Sequence, residues 1–155
     1  MLYVRPVGND PGEVGLVSQL FLEYAQGLNE DLCFQGFEDE LKDPLKKYGP
    51  PAGCLLLAYW HKEVAACIAF QPLSTEVCEM KRLYVRQQYR KLGIADSLIV
   101  ILLDEARSRG YKKMVLDTLA RLGPAINLYA KFGFRNTVPY YDNPLKDVVF
   151  MEKML

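Results

Sequence analysis

At 155 residues, half of them apolar, the chain is long enough to bury a substantial core as one domain over residues 1–155. Nineteen basic and nineteen acidic side chains cancel, which argues against general nucleic-acid or membrane-surface binding and leaves room for a local phosphate site. The longest aliphatic run, Leu98 to Leu103, is far too short to span a bilayer, and Met1 to Arg5 holds no signal-peptide hydrophobic segment, so a soluble, cytoplasmic protein is expected.

Leu2 to Val7 reads as a first strand. Asp10, Pro11 and Glu13 then supply an N-cap, a first-turn proline and a capping-box acid. Val17, Leu20, Phe21 and Tyr24 recur at helical spacing, and Gly27 offers a stop. Glu30 to Tyr48 is polar and broken, with a short helix expected over Phe37 to Leu41. Two apolar runs, Cys54 to Tyr59 and Val64 to Phe70, pair around Trp60 to Glu63 as a hairpin, and Val77 to Val85 extends the meander. Ala95, Leu98, Ile99, Leu102 and Ala106 mark one face of a helix that starts after Gly93 and ends near Gly110. Lys113 to Thr118 is a strand of the buried type, Pro124 opens a short helix that Gly133 ends, Phe134 begins the next strand, and Asp147 to Leu155 is the last.

The four cysteines, Cys33, Cys54, Cys67 and Cys78, form no Cys-x-x-Cys pair, and three lie in apolar strand-like runs where a reduced thiol behaves as a small hydrophobe. His61 is the only histidine and sits in the expected hairpin turn, so a zinc site or a Ser-His-Asp triad lacks ligands; no metal is expected.

The most informative stretch is Arg90, Lys91, Leu92, Gly93, Ile94, Ala95, which follows a strand and opens a helix. A helix N-terminus leaves backbone N–H groups without partners, and the helix dipole favours negative charge there. Gly93 lets the backbone approach a ligand, Ala95 keeps the next contact small, and Arg90 adds a charge-assisted donor for phosphate. A dinucleotide fingerprint wants a second early glycine and a P-loop wants Gly-Lys-Ser/Thr; neither pattern is present.

This Arg-x-x-Gly-x-Ala pattern, preceded by Lys81, Arg82, Leu83, Tyr84, Val85, resembles the acyl-CoA signature of the GNAT N-acetyltransferase superfamily. Leu128, Tyr129, Ala130, Lys131, Phe132, Gly133, Phe134 is similar to that family's second landmark, a helix carrying Tyr and ending in Gly-Phe. The resemblance covers nearly the whole chain. It implies a mixed α/β fold: a central, mostly antiparallel sheet of six to seven strands with helices on both faces. It further implies an acetyl-CoA-dependent N-acetyltransferase with an amine acceptor, and a homodimer is one assembly that members form.

By the same resemblance Leu83, Tyr84 and Val85 receive the pantetheine arm and the thioester carbonyl, with the Val85 N–H as oxyanion donor. Arg90, Lys91, Leu92, Gly93, Ile94, Ala95 and Asp96 form the diphosphate turn, although the Asp96 carboxylate is expected to point away from it. Tyr129 matches the tyrosine that protonates the departing thiolate; its alternative is a packed aromatic in line with Ile126 and Phe132. Glu79, an acid between apolar residues, is the candidate general base, or else an ion-pair partner of Lys81 or Arg82. Leu122 stands seven residues before Tyr129, where many members carry Asn.

At the acceptor end, Glu30, Asp31, Glu38, Asp39 and Glu40 offer either an acidic rim for a cationic amine or a solvated helix face. Tyr140 and Tyr141, in the aromatic loop Val138 to Pro144, are candidate acceptor-site walls or turn-packing residues. No cysteine has an activating partner, so direct transfer in a ternary complex is expected rather than a covalent acyl-enzyme. Two other readings remain: a non-catalytic acyl-CoA sensor, and an enzyme that uses another short acyl-CoA.

Overall fold

The computed structural model describes residues 1–32 and 36–155, so Cys33 lies outside the described residues. Seven strands form one sheet: β1 (Leu2–Pro6), β2 (Cys54–Trp60), β3 (Glu63–Pro72), β4 (Val77–Val85), β5 (Lys113–Leu119), β6 (Arg135–Asn136) and β7 (Val148–Met154). Their order across the sheet is β1-β2-β3-β4-β5-β7-β6. Every neighbouring pair is antiparallel except β4 and β5. The β2–β3 hairpin closes on His61 and Lys62, both with positive φ, the backbone that a tight two-residue hairpin needs.

Alternation along the strands divides the core in two. Leu56, Ala58, Ile68, Phe70, Met80 and Met114 face one side, where they meet Leu98, Ile99 and Leu102 of α4 (Ile94–Ser108) and Tyr129 of α5 (Gly123–Lys131). Leu55, Leu57, Cys67 and Ala69 face the other, against Val17, Leu20 and Phe21 of α1 (Pro11–Leu28), Phe37 of α2 (Phe37–Lys42) and Tyr48 of α3 (Pro44–Tyr48). The expected sheet with helices on both faces is therefore present. Leu98 is fully buried between α4 and the sheet; Leu98→Ala is expected to cost about 2–5 kcal/mol, read as a lower urea midpoint at unchanged slope.

Three local expectations are corrected. α1 runs through Gly27 and closes on Asn29, whose backbone is left-handed (φ 54°, ψ 41°), because an asparagine accepts that conformation with little cost. Asp10 caps α1 through the Gly12 N–H as expected, but Glu13 forms no capping box. Its carboxylate is buried and accepts from the Tyr59 hydroxyl at 3.0 Å, with Arg5 at 3.3 Å, tying α1 to the sheet. α3, opened by Pro44, is an additional helix in the segment read as broken.

One irregularity positions the site. Cys67 pairs with Tyr84 and Ala69 with Lys81, so Ile68 alone on β3 faces both Arg82 and Leu83 on β4. This is a β-bulge, and Arg82 at its centre has φ +62°, a value rare for a residue with a branched or long side chain. Lys81 and Arg82 consequently project to the same face, and the alternation restarts at Leu83.

Candidate active site

β4 and β5 are paired only over Val77–Glu79 and Lys113–Val115. Beyond Glu79 the strands part. A cleft of about 100 Å³ opens between them, lined by Leu83 of β4, Asp117 and Thr118 of β5, and Leu122, Ala125 and Tyr129 around α5. The Arg86 N–H bonds to the Ala65 carbonyl on β3 at 2.8 Å. Strand alternation therefore turns the Val85 and Leu83 N–H groups the opposite way, toward the side that β5 has vacated. The Val85 carbonyl faces that side too and accepts from Arg90 Nε at 2.8 Å. Arg90 is thus folded against the end of β4, 5.9 Å from the Tyr84 ring centroid.

The turn that follows contains two left-handed residues, Lys91 (φ 65°) and Gly93 (φ 80°), and α4 begins at Ile94 without a side-chain cap. Ile94 is buried and anchors the helix start, whereas Lys91, Leu92 and Gly93 are exposed and Ala95 is half-buried. The first-turn N–H groups and the positive end of the helix dipole lie beside this turn. Asp96 is taken out of it by Lys131 of α5, whose Nζ donates to the Asp96 carboxylate at 2.7 Å.

Glu79 is 4% exposed and faces the α1–α3 side of the sheet, where it accepts from Gln71 Nε2 at 2.7 Å and from the Tyr140 hydroxyl at 2.5 Å. It is not the partner of Arg82, which is bound elsewhere. Burial and the adjacent Glu79 carboxylate hold the Tyr140 hydroxyl far above the ordinary tyrosine range, so it stays protonated and donates. Tyr141 donates to Asp117, which also accepts from Asn143 Nδ2 at 2.9 Å. Both tyrosines, with Gln71, Glu79, Lys81 and Lys47, line a basin of about 470 Å³ that shares Lys81 with the cleft. The loop before β7 is therefore fastened to both strands that flank the splay.

Tyr129 is a packed aromatic that also borders the cleft. Its ring packs edge-on against Phe134 at 6.1 Å between centroids. Burial pushes its hydroxyl well above the ordinary tyrosine value, which keeps it protonated at neutral pH.

Of the acids read as a rim or a solvated helix face, two are paired and two stand exposed on a helix. Glu30 pairs with Arg121 at 2.9 Å, and Glu40 is buried in a pair with Arg82. Glu38 and Asp39 are exposed on α2. The Glu40 carboxylate spans Arg82 Nε (2.6 Å) and Nη2 (3.0 Å) and also accepts from the Tyr48 hydroxyl (2.9 Å) and Lys47 (3.2 Å). Burial would raise the Glu40 carboxyl, but the hydrogen bonds and charge of Arg82, with Lys47, outweigh it and leave it below the usual value. A lowered carboxylate contributes stability above its unfolded-state pKa, and that contribution is lost as pH falls through the lower, folded value. Wild type is therefore expected to lose stability more steeply than Glu40→Gln below about pH 4.5, in acid titrations followed by circular dichroism.

A family model described as the Acetyltransferase (GNAT) family matches residues 19–134. The chain is a member of the GNAT family. It is 43% identical over 143 residues to an uncharacterized N-acetyltransferase of Schizosaccharomyces pombe, covering 91% of this chain and 88% of that one. An acetyltransferase structure from Streptococcus agalactiae superposes with TM-score 0.82 at 19% identity, over 99% of this chain and 98% of that chain. A GNAT acetyltransferase from Elizabethkingia anophelis, solved with acetyl-CoA bound, superposes with TM-score 0.66 at 19% identity, over 99% and 98%.

As a GNAT protein the chain is an acyltransferase. In this GNAT fold the sequence-derived candidates fall at the splay, at the start of α4 and in the basin beside Glu79. Sequence reading missed Gln71, Asp117 and the Glu40–Arg82 pair. Asp117 carried the same signal as Glu79, an acid inside an apolar strand, whereas Gln71 is recognisable only through its register opposite Glu79. Cys54, Cys67 and Cys78 are buried, and desolvation raises all three thiols, Cys54 to about 11 and Cys78 to about 12, so none is a ready nucleophile. Among the described residues no His/Cys/Asp/Glu group is placed to hold a metal ion, and no helix is long and apolar enough to cross a membrane.

Proposed function

We propose that this chain is a cytosolic acetyl-CoA-dependent N-acetyltransferase that transfers acetyl directly to a primary amine of a small molecule or peptide in a ternary complex. The observation that carries the reading is the divergence of β4 from β5 beside the uncapped start of α4. A thioester arm laid in that cleft meets outward N–H groups of Leu83 and Val85, and a diphosphate at the cleft's end meets the turn Arg90 to Ala95. The neighbour from Elizabethkingia anophelis supports the choice of donor, since it was solved with acetyl-CoA bound.

In this reading the acceptor amine enters from the basin walled by Tyr140 and Tyr141. Glu79 takes its proton, directly or through water. The nitrogen attacks the thioester carbonyl carbon, the Val85 N–H donates to the resulting oxyanion, the carbon–sulfur bond breaks, and Tyr129 protonates the thiolate. Solvent returns a proton to Tyr129 and removes one from Glu79. Fixed donors aimed at a developing charge contribute most when water is displaced, which the half-buried cleft favours.

The test is calorimetric titration with acetyl-CoA and with desulfo-CoA, followed by thiol release over a panel of primary amines. One-site binding with acceptor-dependent CoA release is expected. Tight binding with no release from any amine would mark a sensor instead. Equal or faster turnover with a longer acyl-CoA would change the donor and leave the site assignments standing.

A further inference from the structure

The geometry points to the buried Glu40–Arg82 pair as a positioning device for acyl transfer, one that holds the β4 bulge in the phase that turns the Leu83 and Val85 N–H groups into the cleft. The inference rests on the proposed acetyl-CoA reading. Its own basis is the conjunction of an unusual backbone with an unusually complete clamp on the side chain that carries it.

Arg82 is 3% exposed and has φ +62°, a conformation that a residue other than glycine keeps only when its surroundings over-determine it. Those surroundings are explicit. The guanidinium is held by both oxygens of Glu40 on α2, at 2.6 and 3.0 Å, and lies over the rings of Tyr24 and Phe37, 5.4 and 5.3 Å from their centroids. Glu40 is itself fixed by Tyr48 and Lys47. The fork geometry of Arg matches a carboxylate in a way that Lys cannot.

What this clamp controls follows from strand arithmetic. Side chains and N–H groups alternate along a strand, so removing or moving a one-residue bulge reverses the orientation of everything on one side of it. Before the bulge, Glu79 and Lys81 line the basin; after it, the Val85 N–H points to the side that β5 has vacated. Only with the extra residue at Arg82 do the acid and the outward amide keep these relative directions. Because Glu40 belongs to α2, on the acceptor side of the sheet, the pair also links that layer to the strand that binds the acyl group.

The test uses Arg82→Lys, which keeps the charge and loses the fork, and Glu40→Gln, which keeps the shape and loses the charge. Acetyl-CoA and CoA are each titrated into wild type and variants, with amide nuclear magnetic resonance and calorimetry as readouts. In wild type the Val85 amide is expected to shift with acetyl-CoA and much less with CoA, because only the thioester has a carbonyl to accept from it. In both variants that difference should collapse while acetyl-CoA affinity stays within about threefold, since the α4 turn holding the diphosphate is untouched. With an acceptor from the amine panel, kcat should fall about 100-fold, the effect of misplacing a reacting group by about 1 Å, with KM for acetyl-CoA little changed. Variants that melt earlier yet keep the acetyl-specific Val85 shift and wild-type kcat well below their melting temperature would overturn the positioning role alone. Absence of any acetyl-CoA binding by wild type would remove the acyl-transfer reading and this role with it.

Discussion

Glu79→Gln is expected to lower kcat about 100- to 10,000-fold, the range that a positioned acid or base supplies, while acetyl-CoA binding stays near the wild-type level. The expectation comes from where the carboxylate sits. It is 4% exposed, lines the basin bordered by Tyr140 and Tyr141, and is oriented by Gln71 at 2.7 Å and Tyr140 at 2.5 Å. The substitution keeps the bulk of the side chain, and the amide can still hydrogen-bond to both neighbours after a flip, so loss of structure does not explain loss of rate. Tyr140→Phe should have a smaller effect, because it removes one orienting donor and leaves the carboxylate. The measurement is the pH dependence of kcat/KM for both variants, using an acceptor found in the amine screen. If Glu79→Gln changes only the acceptor KM and keeps the wild-type acid limb, Glu79 binds the acceptor and does not take its proton.

Gly93→Asp is expected to weaken acetyl-CoA by about 100-fold or more with the fold intact. A Cβ at Gly93 meets nothing within 4 Å, so the substitution is not blocked sterically. Its costs are two. The φ of +80° is strained for any residue with a side chain, by roughly 1–2 kcal/mol. The new carboxylate would stand at the start of α4, where a bound diphosphate would be, and two like charges about 4 Å apart repel by roughly 4 kcal/mol at the effective dielectric of a protein surface. Gly93→Ala separates the two, since it carries the strain without the charge and should bind within about tenfold of wild type. Arg90→Ala should add a smaller loss through the end of β4, where Arg90 Nε holds the Val85 carbonyl. Calorimetry with acetyl-CoA reads all three, and equal affinity for Gly93→Asp and Gly93→Ala would place the diphosphate elsewhere.

The element order is legible in the sequence because it rests on local patterning. Val77–Val85 has the bounds expected from its apolar run, and α4 differs from expectation by a residue or two at each end. The errors cluster where two local signals compete. Gly27 is a plausible stop, but Asn29 offers the left-handed residue that ends α1 with a backbone bond to Gln26. Glu13 stands at capping-box spacing, yet Tyr59 and Arg5 hold its carboxylate, and Tyr59 is distant in sequence.

The sequence by itself determined the turn from Arg90 to Asp96, the strand before it and the helix after it, because turn, strand and helix signals act over a few residues. It also marked Glu79 and Tyr129 as unusual, one by polarity in an apolar strand and one by its spacing to Gly133. Only the tertiary structure decided what those residues face. The acids at positions 30 to 40 look like an open rim until Arg121 and Arg82, both far along the chain, neutralise Glu30 and Glu40. The bulge at Arg82 is equally invisible, since β-register is set by pairing with another strand and no local propensity reports it. That single extra residue, held from α2, sets the phase along β4 between the Glu79 side chain and the Val85 N–H, and a phase of this kind depends on contacts between segments rather than on any one of them.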